Sequence, residues 1–152
     1  MDNRFPNGEL RPLFPAVFFR RSSGRERGFL LKKQESAENY LEAILMLQQR
    51  HGSVRSVDVA NELSFTKPSV SVAMKHLREN GYIEMDGGHI TLTESGRAIA
   101  ESVYERHMLF SDWLMSLGVS RDTAVEDACR IEHVISKESF EAIKRHAKGG
   151  RT

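Results

Sequence analysis

The 152-residue chain has one cysteine, one tryptophan and four prolines, and its 22 Lys+Arg are nearly balanced by 21 Asp+Glu. A lone thiol, Cys129, excludes an intrachain disulfide scaffold. It suits a reducing compartment, so a cytoplasmic location is expected. No run of 18 apolar residues occurs, which excludes a membrane-spanning helix and makes a membrane partner unexpected. The length excludes a complete (β/α)8 barrel and leaves room for one domain or two small ones. No internal repeat is present.

The small net charge conceals an uneven distribution. Residues 1–34 carry eight basic side chains against three acidic ones, a net of +5, and the remaining 118 residues hold 14 against 18, a net of −4. A basic arm therefore precedes an acidic body. The arm holds Pro6, Pro12 and Pro15 and shows no sustained period. Its apolar patch, Leu13 to Phe19, is followed by Arg20 and Arg21 rather than by small residues, which fits a secretory signal poorly. An extension without fixed structure is the plain expectation, and an arm that follows a DNA backbone is the sharper one.

Ordered structure is expected from about Ser36. Ala37, Tyr40, Leu41, Ile44, Leu45 and Gln48 follow helical spacing up to Gly52. Ser56 reads as the cap of a short helix, Val57 to Leu63. After the break Ser64-Phe65-Thr66, Pro68 suits the start of a helix that runs to about Glu79 and stops at Asn80-Gly81. Tyr82 to Met85 and His89 to Leu92 alternate around Asp86-Gly87-Gly88, which predicts a β-hairpin. A long helix is expected from Thr93 to about Leu117, another over Asp122 to Ser136, and a last one over Ser139 to Ala147.

Helix, short helix, tight break, helix and hairpin, in that order, are a winged helix-turn-helix. The fold class expected is mainly α, with the winged helix-turn-helix followed by further helices. Val70, Met74 and Leu77 repeat at four and three residues and face the core. The opposite side offers Lys67, Pro68, Ser69, Ser71, Val72 and Lys75, small enough to approach base edges and basic enough to meet phosphates. Arg55, Arg78 and His89 are further backbone contacts on this reading. A winged helix used only to pack against protein is the competing one, and an acidic body weakens the DNA case, although a dimer doubles the contacts.

Polar residues then fall where a core belongs. Ile99, Val103, Phe110, Leu114 and Leu117 follow heptad-like spacing that fits a packed seam, and His107 lies inside the series. Taken alone it fits a hydrogen-bonded core histidine. Cys129, Glu132 and His133 stand at i, i+3 and i+4, so a thiolate, a carboxylate and an imidazole share one helical stripe. Those are divalent-metal ligands, although a reactive Cys beside a surface Glu-His pair has the same spacing. Asn39 and Glu42 lie on the shoulder of the first helix's apolar face, where a carboxylate without a counter-charge is unusual and a solvated Glu is the plain alternative.

These segments resemble the diphtheria toxin repressor family. The resemblance rests on Glu38-Asn39-Tyr40-Leu41-Glu42-Ala43-Ile44, Lys67-Pro68-Ser69-Val70-Ser71, Glu105-Arg106-His107 and Ala128-Cys129-Arg130-Ile131-Glu132-His133-Val134-Ile135-Ser136. It implies a winged helix followed by a helical dimerisation domain, in the short form of the manganese-type members, with the boundary near Gly96. It also implies a metal site of His107, Glu132 and His133, with Cys129 in an iron-type position and Glu42 in a manganese-type one. Asn39 stands where Met or Asp is usual, and Ser111 and Val125 stand where iron-type members hold ancillary ligands.

The expected division is an arm at 1–34, a winged helix-turn-helix at 35–96, a metal-binding and dimerisation domain at 97–147, and a tail at 148–152. The function implied is a homodimeric repressor of metal-homeostasis genes that binds a pseudo-palindromic operator on double-stranded DNA. Mn²⁺ or Fe²⁺ would act as co-repressor, with Co²⁺, Ni²⁺ or Zn²⁺ able to bind in vitro. Two rivals remain: a thiol-based redox regulator sensing through Cys129, and a metal-dependent hydrolase with Glu132 as general base. No glycine-rich phosphate loop or spare nucleophile supports the second.

Overall fold

The computed structural model describes residues 27–149, with side chains from residue 35 onward. The described residues form α1 (Arg27–His51), α2 (Ser56–Leu63), α3 (Lys67–Glu79), β1 (Ile83–Asp86), β2 (His89–Leu92), α4 (Glu94–Ser116), α5 (Arg121–Ile131) and α6 (Lys137–Gly149). The mainly α class and the helix-turn-helix with its hairpin follow the sequence expectation. Residues 1–26 and 150–152 lie outside the described residues, and so does most of the expected arm. Residues 27–34, expected in the arm, belong to α1 instead. Lys148 and Gly149, expected in the tail, end α6.

The helix-turn-helix is fixed by local chemistry. Asp58 accepts the backbone N–H of Arg55 at 2.8 Å, so Arg55, not Ser56, is the residue that caps α2. Ser64 closes α2 in the left-handed region (φ 55°), a conformation uncommon for a residue with a Cβ. Thr66 then caps α3 by accepting the Ser69 N–H, with Pro68 in the first turn. The hairpin pairs Asp86 with His89 and turns at Gly87-Gly88, both with positive φ (53° and 81°), as a two-residue turn of this hand requires. Arg55 adds an isolated antiparallel bridge to His89, which ties the helix pair to the wing.

Two apolar clusters divide the molecule. The larger joins Leu41, Ile44 and Leu45 of α1 to Val59 and Leu63 of α2, to Val70, Met74 and Leu77 of α3, to Ile83 and Ile90 of the hairpin, and to Ala100 and Tyr104 of α4. The smaller joins Phe110, Ala128 and Phe140, with Trp113, Ile131 and Ile143 packed on it. Helix α4 runs through both, and His107 lies between Tyr104 of one and Phe110 of the other. Its start is locked to the hairpin, since a Cβ on Gly96 would come within 1.9 Å of the Tyr82 carbonyl oxygen.

Two expectations need correction. Leu117 is 64% exposed and outside the seam, because α4 ends one residue before it. Helix α5 stops at Ile131 rather than Ser136. Arg106 takes the Glu132 carbonyl at 3.1 Å, and Ser136 accepts the Ser139 N–H at 3.2 Å to open α6 instead.

Candidate metal centre and nucleic-acid face

Between the two clusters lies a buried polar group assembled from three stretches of chain. His107 comes from α4, Cys129 from the last turn of α5, and Glu132 from the turn that follows. One donor atom from each lies within 4.8 Å of the others. His107 Nδ1 is 2.9 Å from Glu132 Oε2 and 3.5 Å from Cys129 Sγ, and all three residues are buried. On α1, Asn39 and Glu42 are also buried, one turn apart, and Glu42 lies close enough to Glu132 and His107 to feel their charges. His133 adjoins the trio, with Nε2 at 3.3 Å from Glu132 Oε1.

Burial without donors is costly for oxygen atoms. Asn39 Oδ1 and both carboxylate oxygens of Glu42 have no hydrogen-bond partner. Burial pushes the Glu42 carboxyl well above the usual range, the nearby Glu132 charge pushes it further, and His107 offsets this only in part. Burial also raises the Cys129 thiol, and Glu132 and Glu42 add to that rise. Burial would raise Glu132 too, but its contacts with His107 and His133 outweigh it and hold the carboxylate lower. His133 is the mirror case. Burial disfavours its cation, yet hydrogen bonds to Glu132 and Glu38 lift it to about 9.

Three oxygens without donors, a buried thiol and two imidazoles form a mixed N/O/S donor set that fits a divalent transition cation. A cation there would satisfy the orphaned oxygens and relieve the repulsion between Glu42 and Glu132. The same burial opposes the redox reading, because a sensing thiol must reach solvent as a thiolate, and Cys129 is buried with its proton retained. The solvated alternatives for Glu42 and Glu132 do not match this environment, and His107 is buried and hydrogen-bonded to Glu132, as a core histidine requires.

Two residues of the site had no role assigned from sequence. Glu38 on α1 lies 2.7 Å from His133 Nδ1, across 95 positions of chain. Its signal was its place four residues before Glu42. Arg106 secures the Glu132 carbonyl and lies 5.6 Å over the Phe140 ring. Its signal was adjacency to His107. Ser111 and Val125, the two ancillary departures, are both buried.

The nucleic-acid face is simpler. Lys67, Pro68, Ser69, Ser71, Val72, Lys75 and Arg78 are all exposed on α3, opposite the buried Val70, Met74 and Leu77. Val72, 57% exposed, is the prominent apolar group there. Ser69 Oγ accepts from the Thr66 hydroxyl at 2.8 Å, so part of its capacity serves the helix cap. Lys75 is 3.9 Å from Glu79, an exposed pair that a phosphate can displace. At the wing, Arg55 Nη2 is 3.2 Å from His89 Nε2, and His89 Nδ1 is 2.7 Å from Ser53 Oγ.

Two family models and several known proteins match the described residues. The family model "iron dependent repressor, N-terminal DNA binding domain" matches residues 33–88, and "iron dependent repressor, metal binding and dimerisation domain" matches residues 93–148. The transcriptional regulator MntR of Escherichia coli O6:H1 is 34% identical over 113 residues, 74% of this chain and 73% of that protein. The iron-dependent repressor IdeR of Mycobacterium bovis is 30% identical over 106 residues, 68% of this chain and 46% of that protein. A solved manganese-dependent transcriptional repressor in complex with manganese matches with a TM-score of 0.67 at 28% identity, covering 74% of this chain and 52% of that one. The manganese regulator SloR matches with a TM-score of 0.66 at 28% identity, covering 74% and 53%. The chain spans about half the length of these solved structures.

Proposed function

The chain belongs to the iron-dependent repressor family, the group of the diphtheria toxin repressors, and from that premise we propose that it is a metal-dependent, DNA-binding transcriptional repressor. It controls metal-ion homeostasis genes with Mn²⁺ or Fe²⁺ as co-repressor, and it is not an enzyme. It works as a homodimer on a pseudo-palindromic operator. One observation supports the reading: His107, Cys129 and Glu132 bring one donor atom each within 4.8 Å of one another, and the buried Glu42 of α1 lies close enough to feel the Glu132 and His107 charges.

The proposed ligands are Asn39, Glu42, His107, Cys129, Glu132 and His133. A bound divalent cation supplies the positive charge that two buried carboxylates and a thiolate lack. Arg106 holds the α5 turn so that Glu132 points inward. The α1 donors and the others can be satisfied together only in one orientation of the winged helix against α4–α6. That orientation gains population on loading, and DNA affinity follows to the extent that it matches half-site spacing. A coupling of about 1–3 kcal/mol makes a usable switch.

On DNA, α3 enters the major groove through Pro68, Ser69, Ser71 and Val72, while Lys67, Lys75, Arg78, Arg55 and His89 meet phosphates. The 35–96 and 97–147 division assigns DNA to the first unit and dimerisation to the second. No helix among the described residues is long and apolar enough to cross a membrane. We place the protein in the cytoplasm, where Cys129 stays reduced. The Cys129 sulfur favours Fe²⁺, Co²⁺ or Zn²⁺, and the oxygens favour Mn²⁺. The test is a gel shift on DNA selected by the loaded protein, titrated with Mn²⁺ and Fe²⁺ separately and repeated with chelator. Equal affinity with and without chelator overturns the proposal.

A further inference from the structure

We propose that Glu38 is a positioning residue that selects which nitrogen of His133 faces the metal site. The inference rests on the metal-site reading above. An imidazole can bind a cation through either ring nitrogen, and the proton on the other nitrogen decides which lone pair is available. In this structure the two nitrogens of His133 have different neighbours. Nδ1 meets Glu38 Oε2 at 2.7 Å, and Nε2 faces Glu132 Oε1 at 3.3 Å. The side chain of His133 is 1% exposed, so bulk solvent does not reach either nitrogen. A carboxylate only accepts, which keeps a proton on Nδ1 and turns Nε2 toward Glu132 and the trio.

The placement of Glu38 gives this contact a second consequence. Glu38 and Glu42 are i and i+4 on α1, so both meet the turn after α5 from one face of one helix. Glu42 has no donor there, whereas Glu38 has one without any cation. Glu38 therefore holds α1 against the ligand turn before loading, and leaves less ordering for the metal to impose.

The experiment titrates the full chain with Co²⁺, read by its visible absorption, for wild type, Glu38→Ala, Glu38→Gln and His133→Ala. Loss of an outer-shell partner of this kind lowers metal affinity about 10–100-fold. Glu38→Ala is expected to weaken Co²⁺ binding in that range. Glu38→Gln is expected to recover most of it, because its amide oxygen accepts the same N–H. Long-range ¹⁵N–¹H spectra of the Zn²⁺-loaded wild type should show His133 protonated at Nδ1 and coordinated through Nε2.

Coordination through Nδ1, Co²⁺ affinity in Glu38→Ala within twofold of wild type, or equal losses in Glu38→Ala and Glu38→Gln would each overturn the proposal. His133→Ala separates the two readings. If that variant binds Co²⁺ as wild type does, the metal-site assignment of His133 fails. If it binds weakly while Glu38→Ala does not, only the role of Glu38 fails.

Discussion

The metal centre and the DNA face are built on opposite principles. The proposed DNA face is mostly one run of chain, Lys67 to Arg78, exposed on α3 opposite Val70, Met74 and Leu77, with Arg55 and His89 added at the wing. The metal centre draws on α1, α4 and the end of α5, and its residues are buried. An exposed charge on α3 is satisfied by water and is there to be used when DNA arrives. A buried carboxyl such as Glu42 has no such reserve, so it stores a demand for a cation inside the fold. On the proposed function, the first surface is always present and the second is complete only when loaded. A regulator needs that asymmetry, because the signal must be registered where the fold itself depends on it.

The largest effect should come from removing a ligand. Glu132→Ala is expected to lower Mn²⁺ affinity by more than about 100-fold, beyond the roughly 10–100-fold typical of residues that only orient ligands. Titration calorimetry checks this. The same variant should keep the weak, salt-sensitive binding to random DNA, since no α3 charge is altered. Loss of both together would break the comparison, because the two sites would then be one folding unit.

That division also explains what could be read from residues alone. The helix-turn-helix was legible because its signals are local: Asn80-Gly81, Pro68 and the glycine pair of the hairpin each act within a few residues. The proposed ligand set rests on the family resemblance, because spacing puts Cys129, Glu132 and His133 on one stripe but says nothing of His107, which the fold brings beside Cys129 and Glu132. Glu38 stands four residues before Glu42, but nothing local points to its partner, which is 95 positions away. The end of α5 was missed for a related reason. Arg106 and Ser136 redirect carbonyl and N–H groups that helical periodicity alone would have kept in the helix. Leu117 fitted the heptad series, yet the helix ends just before it.

Acidity should act strongly on the buried site and weakly on the exposed one. Binding a cation displaces protons from Cys129 and from His133, whose pKa of about 9 keeps it charged at neutral pH. Metal affinity should therefore rise with pH, by up to about tenfold per unit for each proton displaced, with the His133 contribution ending near pH 9 and that of Cys129 continuing above it. The metal-free fold should respond in the opposite sense. The folded pKa of His133 is raised, so its stabilising contribution is complete below the unfolded value of 6.5 and fades as pH rises through about 9. Calorimetry with and without Mn²⁺ at several pH values measures both. A metal affinity that is flat between pH 6 and 8 would contradict the proton-displacement account.

A subtler way to probe the comparison is to loosen the joint between the two regions. Gly96 lies where α4 crosses the hairpin, and a methyl group there meets the Tyr82 carbonyl, a backbone atom that cannot rotate away. Gly96→Ala should destabilise the fold by about 1–3 kcal/mol, as overpacked sites do. Urea unfolding measures that cost. If metal affinity survives while the gain in DNA affinity on loading shrinks, the joint carries the coupling. An unchanged gain would assign the coupling to the α1 contacts alone.

The smallest effect belongs to single charges on the exposed face. Lys75→Ala removes one cation whose resting partner, Glu79, is a solvent-exposed pair contributing little to stability. Folding and Mn²⁺ affinity should stay as they are. DNA affinity should fall only modestly and by a similar factor on every sequence, because a phosphate contact positions the protein without reading bases. The sharper readout is the dependence of DNA affinity on salt, whose log–log slope should drop by about one per protomer for the lost phosphate contact. Fluorescence anisotropy across a range of salt concentrations measures that slope. If instead Lys75→Ala leaves the slope intact and changes sequence preference, Lys75 reads a base edge rather than a phosphate. The exposed face would then carry specificity at a position assigned here to charge alone.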